Sequence, residues 1–191
     1  MSEIFDFLKA TDRSLFFFLN LALANSFFDY LMVLITDKHT WYLPGAILFT
    51  WLVWRGGKAG RIMALLVIVG IVLSDQISAG ILKPLTEQFR PCKELEGFRL
   101  LVHCGSRYGF PSSHAANAAV IATLMSYAYR RWTAFWVIIT FLIGFSRIYV
   151  GVHYPSDVAG GWVLGIALGL ALIPLFEKLQ RLRWSKTKPA A

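Results

Sequence analysis

The sequence predicts an all-α membrane protein: a bundle of about six transmembrane helices built as one domain over residues 1–191. Three observations carry this. Hydrophobic residues fill 57% of the chain, against roughly 45–50% in soluble domains. They gather into runs that approach the ~20 residues a helix needs to cross a bilayer. The charged residues, 16% of the total, fall mostly between those runs.

The first run, Ser14 to Thr36, is broken by Asn20, Asn25 and Asp29. It reads either as one tilted span or as a surface helix followed by a short one. Trp41 to Trp54 is short but bracketed by aromatic residues of the kind that sit at membrane interfaces. Arg61 to Leu82 is the third run and carries one acid, Asp75. His114 to Tyr129, Trp132 to Val150 and Val158 to Phe176 complete the set. Six crossings place both termini on one side. Met1 to Lys9 mixes acids with a lysine and lacks a small-residue cleavage site, so no removable signal peptide is expected.

The charges then choose the side. In a six-span arrangement twelve of the 19 basic residues share the side of the termini. They are Lys9, Arg13, Arg55, Lys58, Arg61, Arg130, Arg131, Lys178, Arg181, Arg183, Lys186 and Lys188. Lys38, Lys83, Arg90, Lys93, Arg99, Arg107 and Arg147 lie opposite. The positive-inside rule places the termini in the cytoplasm. The net charge of +8 is therefore topological, and the tail from Arg181 to Lys186 is an anchor. No basic stripe alternates with stacking aromatics, so nucleic acid is not an expected partner.

Between the third and fourth runs lies an irregular stretch, Pro91 to Phe110, long for a loop in a compact domain. It holds the only two cysteines, Cys92 and Cys104. On the outer side an oxidising compartment favours their pairing, worth about 2–4 kcal/mol. Two independent thiols are the alternative. Two cysteines and His103 fall short of a four-ligand zinc site.

The chemistry sits in three polar stretches at helix ends. Ser146-Arg147 through His153 to Asp157 puts a guanidinium, an imidazole and a carboxylate between two apolar runs. An arginine at bilayer depth is costly and calls for a function. Pro155 suits the first position of a helix, which puts Asp157 in that helix's first turn, within reach of His153. Pro111-Ser112-Ser113-His114 opens another helix, whose Ser112, Ser113 and His114 amides form an anion seat. Lys83 and Arg90, before Pro91, complete a cationic clamp with Arg147. The acids do not cluster as magnesium requires, so neither metal nor cofactor is expected. Asp75 either holds Arg147 or hydrogen-bonds within the bundle. His39 and His103 read as interfacial. Gly144, Gly151, Gly160, Gly161, Gly165 and Gly169 read as packing positions.

Read together as K-x6-RP, PSSH and SR-x5-H-x3-D, these stretches resemble the three-part signature of the type 2 phosphatidic acid phosphatase family. The resemblance covers about residues 60 to 177, with Ser113 where the family usually has glycine. It implies a metal-independent membrane lipid phosphatase. His153 would be the nucleophile, Asp157 its orienting group, and His114 the acid and then the base. Lys83, Arg90, Ser112, Ser113 and Arg147 would bind the phosphate. The small six-span form resembles bacterial enzymes that act on isoprenyl pyrophosphates, on phosphatidylglycerophosphate or on the 1-phosphate of lipid A. The charge count, not the resemblance, places the motifs at the outer, periplasmic face of the cytoplasmic membrane. Lipid A 1-phosphate is the expected substrate, with undecaprenyl pyrophosphate and phosphatidylglycerophosphate as rivals. The partners implied are that lipid and the bilayer, without an obligate protein partner. An anion carrier is the alternative of another class, but it has no use for His114 or for the His153–Asp157 couple. A haloperoxidase belongs to the soluble members of the family.

Overall fold

The first apolar run folds as two pieces. In the computed structural model, which describes residues 2–184, helix α1 (Ser2–Phe17) runs on through a π-helical turn, Phe18–Ala22. The chain then bends by 118° into α2, Ser26–Thr36. The three polar residues that interrupt this run explain the bend. Asn20 is buried and donates to the carbonyls of Arg99 (2.8 Å) and Tyr149 (2.7 Å). It also accepts from the Arg99 amide at 2.8 Å. Asn25 caps α2 by accepting from the Phe28 amide at 2.9 Å. Asp29 pairs with Arg99 and accepts the Tyr149 hydroxyl at 2.7 Å. Each polar group is thus spent on the protein rather than left in lipid, where it would cost several kcal/mol.

A 3-10 turn leads into α3 (Tyr42–Trp54), and a tight corner into α4 (Gly57–Asp75). Helix α4 continues through a π-helical stretch, Gln76–Leu82, into the short α5, Lys83–Thr86. After α6 (Pro91–Glu94) and the long loop come α7 (Ser113–Ala128), α8 (Thr133–Tyr149) and α9 (Pro155–Trp184). Gly57–Thr86, Arg130–Tyr149 and Pro155–Leu182 are each long and apolar enough to cross a membrane. The bent pair can supply a fourth crossing. Helices α3 and α7, at 13 and 16 residues, are shorter than the usual span. A total of six therefore depends on those two.

Helix α7 is the axis of the bundle. Its alanines Ala115, Ala116, Ala118, Ala119 and Ala122 are buried. Gly161, Gly165 and Gly169 of α9 lie against Ser112, Ala116 and Thr123 so closely that an added Cβ would collide with each. Small residues let the two backbones approach without hydrophobic drive, which lipid does not provide. Away from the motifs the core is filled by Leu52, Met63, Leu66, Val120, Leu124, Leu172 and Phe176. The Lys58 ammonium donates to the Gln180 carbonyl at 2.5 Å, tying the start of α4 to the far end of α9.

At the motif end α1 lies where the charge count did not put it. Asp12 bonds to Ser156, and Arg13 pairs with Glu94 at 3.2 Å. The Phe16 ring meets those of Phe98 and Tyr154 edge-on. Lys9 and Arg13 thus belong with the motifs and not opposite them, because Ser14–Thr36 does not cross as a single rod. The positive excess at the opposite end is thereby lost. Among the described residues that end holds Arg55, Lys58, Arg61, Arg130, Arg131, Lys178 and Arg181, no more than the motif end, while Lys186 and Lys188 lie outside the described residues.

This placement makes a labelling prediction. In a background without Cys92 and Cys104, cysteines at Lys9 and Glu96 share one reactivity toward an impermeant thiol reagent in intact cells. A cysteine at Arg181 shows the other. Lys9 grouping with Arg181 would restore the single-crossing reading.

Candidate active site

The loop Val150–Tyr154 returns the chain from α8 into α9 and sets the centre of the site. It turns at Gly151, whose φ of +88° and tight contact with the Arg99 carbonyl exclude a side chain. The Arg147 carbonyl then accepts the amides of Val152 and His153, both at 3.2 Å. Pro155 starts α9, where no amide hydrogen is needed. Asp157, in the first turn, accepts with Oδ2 from the Tyr154 amide and from His153 Nδ1, both at 3.0 Å. His153 is 1% exposed and Asp157 0%.

On the other side of the imidazole, Arg90 Nη1 stands 2.7 Å from Nε2. A guanidinium only donates, so Nε2 is the acceptor and carries the lone pair. The ring proton is then on Nδ1, held by Asp157. Burial, with Arg90 and Arg147 next in effect, keeps the imidazole's pKa well below its ordinary value. The ring is neutral, its tautomer is set, and its free pair points at a cation.

Arg90 is fixed by the long loop. Its Nε donates to the Ser106 carbonyl at 2.8 Å, Nη1 to the Val152 carbonyl at 3.1 Å, and Nη2 to Ser106 Oγ at 3.3 Å. A single antiparallel bridge, Phe89 to Tyr108, and a 2.7 Å bond from the Gly109 amide to the Gln88 carbonyl fold the loop over Asp157. A disulfide joins Cys92 to Cys104 with Cα atoms 6.0 Å apart.

The other two cations come from two elements, Lys83 from α5 and Arg147 from α8. Lys83 Nζ donates to Ser113 Oγ at 2.9 Å, and Ser113 meets Ser78 Oγ at 2.8 Å. Arg147 Nη1 donates to Thr36 of α2 at 2.6 Å, while its buried Nε has no partner among the described residues. His114 sits half-buried at the head of α7. The expected three-amide seat is smaller than the sequence implies. The Ser112 amide donates to the Asp157 carbonyl at 2.9 Å, leaving the Ser113 and His114 amides as the unpaired start of α7. Ser112 Oγ is buried and has no partner among the described residues.

All eight candidate residues therefore converge on one end of the bundle. Asp75 does not hold Arg147; it accepts from Asn117 Nδ2 of α7 at 3.0 Å. Sequence reasoning missed Gln88, whose Nε2 donates to Asp157 Oδ1 at 3.1 Å. It also missed Thr36, Ser78 and Asp12. Ser78 and Lys83 are five residues apart, a spacing that shares a face only in the π-helical stretch Gln76–Leu82 and is invisible to a 3.6-residue period. A neutral, oriented nitrogen among three cations suits attack on an oxyanion ester, where charge neutralisation and positioning do most of the work.

Comparison with known proteins finds a family, curated relatives and solved structures of similar fold. The model of the PAP2 superfamily matches residues 62–181. A protein named lipid A 4'-phosphatase from Bacteroides thetaiotaomicron is 30% identical over 168 residues, covering 84% of this chain and 74% of that protein. The crystal structure of LpxE from Aquifex aeolicus superposes with a TM-score of 0.68 at 28% identity, covering 84% of this chain and 93% of that one. The structure of a transmembrane PAP2-type phosphatidylglycerolphosphate phosphatase from Bacillus subtilis gives a TM-score of 0.68 at 26% identity, with 90% and 87% covered.

The clamp predicts how an oxyanion binds. Orthovanadate titrated onto the purified protein should bind about tenfold more weakly to Arg90→Lys and to Arg147→Lys, the cost of one charge-assisted hydrogen bond. Wild-type affinity in both variants would mean that charge alone suffices.

Proposed function

The chain belongs to the PAP2 superfamily, whose phosphatases hydrolyse phosphoric esters, and from that premise we propose that it is a metal-independent lipid phosphatase acting through a phosphohistidine. The observation that carries this reading is the His153 lone pair on Nε2, with its Nδ1–H on buried Asp157 and Arg90 at 2.7 Å. When phosphate enters, Arg90 exchanges its bond to Nε2 for a phosphoryl oxygen. Nε2 attacks phosphorus, the phosphorus–oxygen bond to the lipid breaks, and His114 gives its proton to the leaving oxygen. His114 then takes a proton from water, whose oxygen attacks the phosphohistidine, releasing phosphate and restoring His153. Lys83, Arg90 and Arg147, with the Ser113 and His114 amides, hold the equatorial oxygens. Ser112 Oγ is placed to join them. These cations take the role a metal would have in other phosphoryl-transfer sites.

The substrate we favour is a phosphate of lipid A, supported by the Bacteroides relative's name and coverage. The sequence resemblance points to the 1-phosphate and that relative's name to the 4'-phosphate. Undecaprenyl pyrophosphate and phosphatidylglycerophosphate are the competing substrates. The whole chain acts as one unit, since α2 supplies Thr36 to Arg147 and α1 supplies Asp12 to Ser156. We place it in the cytoplasmic membrane with the site on the outer face. The Cys92–Cys104 disulfide at the motif end supports that orientation.

Phosphate release from lipid A defined at the 1- and 4'-positions, and from the two competing lipids, tests the substrate. Release should persist in excess chelator and stop with vanadate; activity restored only by magnesium would overturn the mechanism. His153→Ala should abolish both turnover and covalent phosphoenzyme. His114→Ala should still trap a phosphohistidine from an ester with a good leaving group. Near-normal turnover in the His153 variant would refute the nucleophile.

A further inference from the structure

Helix α9 has a problem at its start. The residue before it is Tyr154, whose hydroxyl donates away to Glu94 at 2.5 Å and whose side chain cannot cap a helix. Pro155 has no amide hydrogen, so the first exposed donor of α9 is the Ser156 amide. Asp12 of α1, 144 residues away in sequence, takes it. Its Oδ1 accepts the Ser156 amide at 2.9 Å and its Oδ2 accepts the Ser156 hydroxyl at 2.5 Å. This carboxylate is a helix cap supplied from another helix, with its charge at the favourable end of the α9 dipole.

The residue that follows Ser156 is Asp157, the orienting partner of His153. Gln88 Nε2 spans both, reaching Ser156 Oγ at 3.4 Å and Asp157 Oδ1 at 3.1 Å. Helix α1 also grips the other side of Pro155: Arg13 pairs with Glu94, which accepts the Tyr154 hydroxyl, and Phe16 packs on the Tyr154 ring. The turn that presents His153 and Asp157 to Arg90 is therefore clasped by α1 at the residues just before and just after its proline. Asp12 lies outside residues 62–181 and outside all three motifs.

We propose that Asp12 is a positioning residue for the reaction: by capping α9 from α1 it holds the Ser156–Asp157 turn, and through it the His153 imidazole, in line with the phosphate clamp. Asp12 touches neither substrate nor phosphate. The inference rests on the roles assigned to His153 and Asp157 in the preceding section.

The test uses the full-length protein in detergent micelles with the lipid it hydrolyses fastest, and kcat is expressed per vanadate-binding site so that misfolded molecules do not count. Asp12→Ala should lower kcat by about 10- to 100-fold, the scale of small misplacements in an active site. KM and vanadate affinity should stay within about twofold, since the clamp of Lys83, Arg90 and Arg147 is untouched by Asp12. Asp12→Asn keeps an acceptor for the Ser156 amide and should recover most of the loss. Adding Ser156→Ala to Asp12→Ala should cost little more than Asp12→Ala alone, because both act through one link. If Asp12→Ala gives no folded protein, Asp12→Asn combined with Ser156→Ala carries the same comparison. Unchanged kcat per site, or equal losses in vanadate affinity and kcat, would overturn the role of Asp12. A wild-type chain that releases no phosphate from any lipid would instead overturn the phosphatase reading.

Discussion

The constraint on which the rest of the molecule depends is the buried carboxylate of Asp157. A carboxylate out of water is tolerated only when its lone pairs are taken, and here they are taken by the His153 ring, the Tyr154 amide and Gln88. Its own backbone carbonyl receives the Ser112 amide. One residue thus ties the α8–α9 loop, the head of α7 and the segment after α5 into a single cluster. The arrangement of four chain segments follows from satisfying this one group.

Close packing lower in the bundle is what allows that convergence. Helices α7 and α9 touch through glycines and alanines, so their first turns meet near enough for Ser112 to reach Asp157. Larger residues at Gly161 or Gly165 would separate the two helix heads, and with them His114 from His153. Small residues in the membrane core and charged residues at its edge are thereby parts of the same design: one sets the spacing that the other uses.

Much of the site was legible in the sequence because its chemistry is carried by residue types that are costly in a membrane. Arg147, His153 and Asp157 could not stand between apolar runs without a purpose, and Pro155 marks where the helix starts. The bodies of α4, α7, α8 and α9 were legible for the same reason, since length and hydropathy constrain a bilayer helix strongly. What escaped depends on contacts between distant segments. Asn20, Asn25 and Asp29 read as flaws in a span, and only Arg99 and Tyr149, more than 70 positions later, turn them into a bend. The resulting shift of Arg13 to the motif end weakens a charge count that took Ser14 to Thr36 as one straight crossing. Gln88 and the Ser112 amide were missed because a neutral side chain and a backbone group leave little trace in a motif.

The cap from Asp12 to Ser156 also sets an order of assembly. A chain emerging from the ribosome makes α1 well before α9, so Asp12 must wait for a partner that arrives 144 residues later. Until α9 is inserted there is no amide for Asp12 to hold, and neither His153 nor Asp157 has reached Arg90. The cluster of His153, Asp157 and Arg90 is therefore complete only once the helix that carries Asp157 has joined the earlier segments.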